Sequence, residues 1–199
     1  MSQRSPWQRS QKLLTPQRCS LIVIDVQERL LPAILNRDSL VFNIRFLMDA
    51  AELLKVRTIV TEQYPKGLGP TVSELVRHPA ISVTLEKLRF SAAEILHDSN
   101  ELALSDGEPR QIVLTGIETH ICVQQTALDL ISRGHSVLLA TDATGSRHAA
   151  DYLPAVERMR GEGVAITTCD AIAFEWCEIA GSDQFKALSR LVKARDEKA

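Results

Sequence analysis

A thiol, a carboxylate and an amine stand at Cys122, Asp25 and Lys87 of this sequence. Cys122 follows Gly116-Ile117-Glu118-Thr119-His120-Ile121, where a strand pattern gives way to a helical one. Backbone N–H groups and the helix dipole at such a start favour a thiolate. Lys87, if close, is expected to lower the thiol pKa further. The same N–H groups could hold an oxyanion formed on a substrate carbonyl. Asp25 could take the thiol proton and later pass it to a leaving group. Together the three residues make a complete set for covalent hydrolysis. Each also has an ordinary alternative: a cysteine in a strand–helix unit can be a small buried apolar residue, an aspartate a turn cap, a lysine a solvated charge.

The elements that must bring these residues together alternate in type. Strands are predicted over 20–25 (SLIVID), 58–62, 81–85, 111–116 (QIVLTG), 137–141 and 164–168. Helical spacing of apolar residues runs over 39–56, with short helices over 71–77 and from Ser91, where Glu94 completes a capping box. Further helices are predicted over 119–133, closed by Gly134, over 149–160, and over 182–194. The stretch 64–70 (YPKGLGP) reads as a loop. Six strands alternating with helices argue for an α/β fold: a three-layer α-β-α sandwich, its parallel sheet covered by helices on both faces. In such sheets ligands bind outside the carboxyl ends of the strands. Asp25, Glu62-Gln63-Tyr64, Glu86-Lys87, the segment leading to Cys122, and Asp142 all stand just past predicted strands.

Bulk properties narrow the function classes. At 199 residues the chain fits one domain, expected over 18–199 behind a polar, basic arm over 1–17. The arm's composition faintly suits an organelle transit segment; the simpler expectation is an exposed arm, which could pack on another subunit. A net charge of −2 gives no pull toward nucleic acid or an anionic membrane, and no apolar run is long enough to cross a bilayer. Four cysteines in a chain with no secretory pattern are expected to be reduced thiols in the cytoplasm, with Cys19, Cys169 and Cys177 structural.

The segments 21–27 (LIVIDVQ), 86–92 (EKLRFSA), 116–123 (GIETHICV) and 140–144 (ATDAT) resemble the isochorismatase-like cysteine hydrolases. That family includes isochorismatases, nicotinamidases and N-carbamoylsarcosine amidohydrolases. The resemblance runs in order from about Arg18 to about Asp170. The EQYPKGLG and GIETHICVQQTALDL segments look most like its isochorismatase-domain group of unassigned substrate. It implies strand order 3-2-1-4-5-6, with the switch point between strands one and four. It also implies an Asp25, Lys87, Cys122 triad, and a cis peptide at Ile117–Glu118 that aims the Glu118 N–H, with that of Cys122, at the oxyanion. Family members commonly associate, so a homo-oligomer acting on a small-molecule substrate is expected.

Departures from the family pattern bear on substrate. Metal-bearing nicotinamidases carry an aspartate and several histidines between the first strand and the lysine; here that interval holds His78 alone. No metal and no cofactor are therefore expected. Glu118 occupies a position where amidase members often have a small residue. Its carboxylate would disfavour a dianion such as isochorismate unless Arg89 offsets it. Gln63, Tyr64, Phe90 and Thr119 are expected to line the pocket, and Asp142 to cap or brace the Cys122 loop. His120 invites a Cys–His dyad, but residues two apart on a helix do not face each other. The leading reading is a metal-independent cysteine hydrolase of amide or related C–N bonds. The alternatives are a vinyl-ether hydrolase of the isochorismate type, a non-catalytic scaffold or binding module, and a redox-sensing thiol.

Overall fold

Side chains alternate between the two faces of a strand, and the central strands here are apolar at both. In a computed structural model of the chain, which describes residues 8–103 and 110–197, β1 (Cys19–Ile24) is buried at every position. Leu21 and Val23 enter one core, and Ile22 and Ile24 the other. β4 (Gln111–Ile117) repeats the pattern, with Val113 and Ile117 on the first side and Ile112 and Leu114 on the second. A strand of this kind is stable only when covered on both faces.

The remaining strands are β2 (Arg57–Gln63), β3 (Ile81–Lys87), β5 (Ser136–Gly145) and β6 (Ala165–Thr167). They form one six-stranded sheet in the order β3-β2-β1-β4-β5-β6, and every pair is parallel. α1 (Arg37–Leu54), α6 (Cys169–Cys177) and α7 (Asp183–Asp196) feed the first core. α3 (Ala93–Asp98), α4 (Gln124–Ser132) and α5 (Ala149–Gly161) feed the second. The architecture is the expected three-layer α-β-α sandwich. None of the described helices is long and apolar enough to cross a membrane.

The order reverses between β1 and β4, which pair from Cys19↔Gln111 to Ile24↔Gly116. Their carboxyl ends therefore open side by side, the crevice in which such sheets bind ligands. Lys87 closes the edge strand β3, whose positions alternate in exposure until Lys87 itself, which is buried. At β4 the backbone of Gly116 has φ +104°, and a Cβ there would overlap the Ile24 carbonyl. Glycine alone meets both demands.

Several local expectations are corrected. Residues 71–77 form no helix: Thr71 is in a bridge and 73–77 form consecutive turns. Thr71 is drawn aside by an isolated bridge to Gln27 and by Glu62, whose Oε1 accepts from the Thr71 N–H and Oγ1 at 2.7 Å each. The 64–70 loop contains a single helical turn, α2 (Pro65–Leu68), with proline at its start. Ser91 caps the Ala93 N–H at 3.2 Å, but Glu94 turns outward to Arg89 at 2.6 Å, so no reciprocal capping box forms. The predicted helix over 119–133 is in two parts: a π-helical turn, Thr119–Val123, precedes α4. The α6 helix was not anticipated, because its sequence CDAIAFEWC is apolar nearly all round and shows no polar stripe. Of the expected arm, residues 1–7 lie outside the described residues. Residues 8–17 lie along their own domain: Leu14 is fully buried, and Gln111 binds the backbone of Thr15 and Leu13 at 2.8 and 2.9 Å.

Substituting Gly116→Ala is expected to cost about 3 kcal/mol or more, because backbone and not a flexible side chain obstructs the new Cβ. Urea unfolding of the variant beside the parent, at unchanged m-value, measures it.

Candidate active site

The first strand ends at Ile24, and the chain turns at once. Asp25 takes a left-handed conformation, φ 52°, and is fully buried. Its own N–H donates to the Thr61 carbonyl at 3.1 Å, so β2 fixes the turn. A buried carboxylate needs donors on both oxygens. Thr61 Oγ1 donates to Oδ1 at 2.7 Å and Lys87 Nζ to Oδ2 at 2.6 Å. The lysine is nearly as buried as its partner, at 4% exposure. Its remaining protons meet Gln63 Oε1 at 2.7 Å and the carbonyls of Phe90 and Arg89 at 2.9 and 3.2 Å. Gln63 is held in turn, donating from Nε2 to the Leu88 carbonyl at 2.7 Å and from its N–H to Gln27 Oε1 at 2.8 Å. Gln27 Nε2 ties off the set by donating to the carbonyls of Gln63 and Gly69.

Cys122 enters from the other side of the switch point. The peptide Ile117–Glu118 is cis, and the π-helical turn that follows is closed by the Val123 N–H on the Glu118 carbonyl at 3.2 Å. Such turns place a side chain where a regular helix cannot. The Cys122 thiol is buried, and the Asp25 side chain, Lys87 and the Glu118 backbone N–H all lie near enough to act on its titration. The Cys122 carbonyl accepts from Thr126 Oγ1 at 2.6 Å, and that oxygen accepts from the Ala92 N–H at 2.9 Å. The Cys122 turn is thereby fastened to the chain that follows Lys87.

The structure brings Asp25, Lys87 and Cys122 into one contact, but the resting thiol is not the expected thiolate. Burial pushes the Cys122 pKa up to about 12, and the adjacent Asp25 carboxylate adds to the rise. Lys87 and the Glu118 N–H offset only part of it. A helix start lowers a thiol pKa where water can reach it; here desolvation and a carboxylate acceptor prevail.

The other predicted residues separate in role. Gln63 holds Lys87. Tyr64 is half exposed; its ring lies over Gly67 and its N–H donates to the Lys87 carbonyl at 2.9 Å. Phe90 is also half exposed and contributes its carbonyl to Lys87. Thr119 is fully buried, and its Oγ1 has no hydrogen-bond partner among the described residues. Arg89 does not offset Glu118, because Glu94 takes it. Arg147 does: its Nε and its own backbone N–H donate to Glu118 Oε2 at 2.9 and 3.1 Å.

Asp142 does not brace the Cys122 loop. It caps α6 through the Cys169 N–H at 2.8 Å and pairs with Arg195 at 3.2 Å. His120 forms no dyad with Cys122; Nδ1 meets Ser146 Oγ at 3.0 Å and Nε2 faces Asp151 at 3.7 Å. His78 lies on Asp49 at 3.0 Å. Among the described residues no group of three or more His, Cys, Asp or Glu could hold a metal ion. Cys19, Cys169 and Cys177 are buried and unpaired. Sequence reasoning passed over Gln27, Thr61, Thr126 and Arg147. The first stands in the 21–27 segment and the last just past the fifth strand, so position at a strand end was the available signal for both.

The Isochorismatase domain family model matches residues 19–171. Isochorismatase domain-containing protein 2 of Danio rerio is 37% identical over 86% of this chain and 85% of its own length. Isochorismatase domain-containing protein 1 of the same organism is 36% identical over 90% of this chain, which spans 62% of that longer relative. Among solved structures, one described as a MAR1 ribonuclease from Caenorhabditis elegans superposes with a TM-score of 0.83 at 33% identity, over 91% of this chain and 92% of that one.

Asp25 raises the Cys122 pKa and Lys87 lowers it, so the two substitutions should move it oppositely. Asp25→Asn is expected to bring the thiol titration below the parent's value of about 12, and Lys87→Met to raise it. Thiolate ultraviolet absorbance against a Cys122→Ala blank reads both. Because the folded pKa lies above the unfolded value of about 8.5, the thiol's contribution to stability is complete below that pH and is lost as pH climbs through the folded pKa. Cys122→Ala should flatten this alkaline fall by up to about 1.4 kcal/mol per pH unit, read from urea titrations across the range.

Proposed function

The chain belongs to the isochorismatase family, and from that premise we propose that it is a hydrolase of small-molecule C–N bonds with Cys122 as nucleophile. One observation carries the reading: the buried Cys122 thiol lies beside a carboxylate that acts on it and that Lys87 and Thr61 hold in place. A thiol pushed up by burial is a poor nucleophile until its proton is removed, and the acceptor is already in contact.

The steps follow from those contacts. Asp25 takes the thiol proton as Sγ attacks the substrate carbonyl carbon. The carbonyl oxygen takes up the electron pair, and the backbone N–H groups of Glu118 and Cys122 hold it. Collapse of this intermediate breaks the C–N bond. The amine leaves with the proton that Asp25 carried, and a thioester remains on Cys122. Asp25 then takes a proton from water, whose oxygen attacks the thioester. The carboxylic acid departs, and the sulfur recovers its proton. Lys87 keeps the Asp25 carboxylate oriented and its charge balanced throughout. Asp25, Lys87 and Cys122 supply base, counter-charge and nucleophile themselves, so the proposed reaction needs no metal. Tyr64 and Phe90, half exposed beside Lys87, form the rim that a small substrate would cross.

The C. elegans neighbour is described as a ribonuclease. For this chain the small-molecule reading is preferred. Its net charge is −2, and every proton of Lys87 is committed to protein oxygens, which leaves that amine no capacity for a phosphate.

Incubation with a panel of small amides, ureides and vinyl ethers, followed by intact-mass analysis, is expected to show an acyl adduct on Cys122 with the amide members. Cys122→Ala and Asp25→Asn should each reduce turnover by roughly a thousandfold or more. Undiminished turnover by Cys122→Ala would overturn the mechanism. Vinyl-ether cleavage without amide cleavage would replace the substrate class.

A further inference from the structure

The cis peptide residue Glu118 faces two ways: its backbone N–H acts on the Cys122 thiol, and its carboxylate holds Arg147. Ile117 pairs with Gly145 at the ends of β4 and β5, so Glu118 and the Ser146-Arg147 segment leave the sheet side by side. The arginine is anchored twice to one oxygen, through its backbone N–H and through Nε. Its side chain is half exposed. Nη1 and Nη2 make no hydrogen bond or ion pair among the described residues.

We propose that Arg147 is the substrate-recognition residue of this site and that it selects molecules carrying a carboxylate a few bonds from the group attacked by Cys122. The proposal rests on the reading of Cys122 as nucleophile. A guanidinium gripped at Nε still presents its terminal pair of N–H donors, a planar fork that fits a carboxylate with two parallel bonds. The neighbouring cations are spent: Lys87 lies inside the protein on four oxygens, and Arg89 is paired with Glu94. Glu118 is then a positioning residue. Its charge does not repel an anionic substrate, because it is spent on fixing the guanidinium at the nucleophile turn. The double anchor also lowers the entropy lost when the fork closes on its ligand.

Two small alkylating reagents isolate the effect without knowledge of the substrate. Iodoacetate and iodoacetamide differ in one carboxylate, and both modify a reactive thiol. Their rates on Cys122, followed by intact mass and peptide mapping, give a preference ratio. Arg147→Met should lower the iodoacetate-to-iodoacetamide ratio by about tenfold, the scale of one charge-assisted hydrogen bond, with the iodoacetamide rate nearly unchanged. Arg147→Lys should restore part of the ratio, and Glu118→Gln should lower it less than Arg147→Met does. Arg158→Met, which removes an exposed cation from α5, should leave the ratio unchanged and so exclude a general charge effect. An unaltered ratio in Arg147→Met, with iodoacetamide still modifying Cys122, overturns the role of Arg147 alone. A Cys122 inert to both reagents overturns the nucleophile reading, and the recognition proposal with it.

Discussion

A carboxylate and an ammonium share one hydrogen bond at 2.6 Å where almost no water reaches either. Removing two charges from water costs several kcal/mol per ion even after relaxation, and their mutual attraction repays it only if the remaining protons and lone pairs are also satisfied. Much of the architecture around the sheet's open end answers that demand. Thr61 serves the second oxygen of Asp25, and Gln63 and two backbone carbonyls serve the ammonium. Gln27 then fixes Gln63 from the segment that follows β1. The pair joins the strand at the switch point to the strand at the sheet edge, with β2 between them. A change at any of these positions leaves a buried charge short of a partner.

The same pair sets the state of the sulfur. Burial raises the thiol pKa most, Asp25 adds to the rise, and Lys87 opposes both. The proton therefore stays on sulfur, with the Asp25 carboxylate nearby. A protonated thiol resists oxidation and alkylation better than a thiolate does. The arrangement fits the proposed mechanism, in which the thiol is deprotonated only as it attacks.

Much of this was legible from residue types. Continuous apolar strands alternating with helical spacing imply a covered parallel sheet, and the residues past each strand end imply where chemistry can gather. What escaped the sequence were quantities fixed by packing. The α6 helix buries one face, but Ala171 and Phe174 on its exposed side are apolar, so the polar stripe that would reveal it is weak. Residues 71–77 have helical composition, but Thr71 is held by Glu62 and Gln27 before a helix can start. The thiol pKa followed the same logic. Position at a helix start is readable in a sequence, whereas the depth of burial and the identity of the hydrogen-bond acceptor are not.

The ion pair between Glu118 and Arg147 shows how a residue's type can mislead while its position informs. Alone beside the nucleophile, the Glu118 carboxylate would repel anions. With Arg147 on Oε2 at 2.9 Å its charge is matched, and its backbone N–H remains turned toward sulfur. In the proposed mechanism one residue thus serves the reacting atom through its main chain and the approach to that atom through its side chain. Because β4 and β5 pair up to Ile117↔Gly145, the distance between the two functions is set by sheet register. A side chain docked on a mobile loop would not hold it so closely. A shift of that register would move the guanidinium relative to Cys122, so in the proposed mechanism selectivity and attack share one backbone contact.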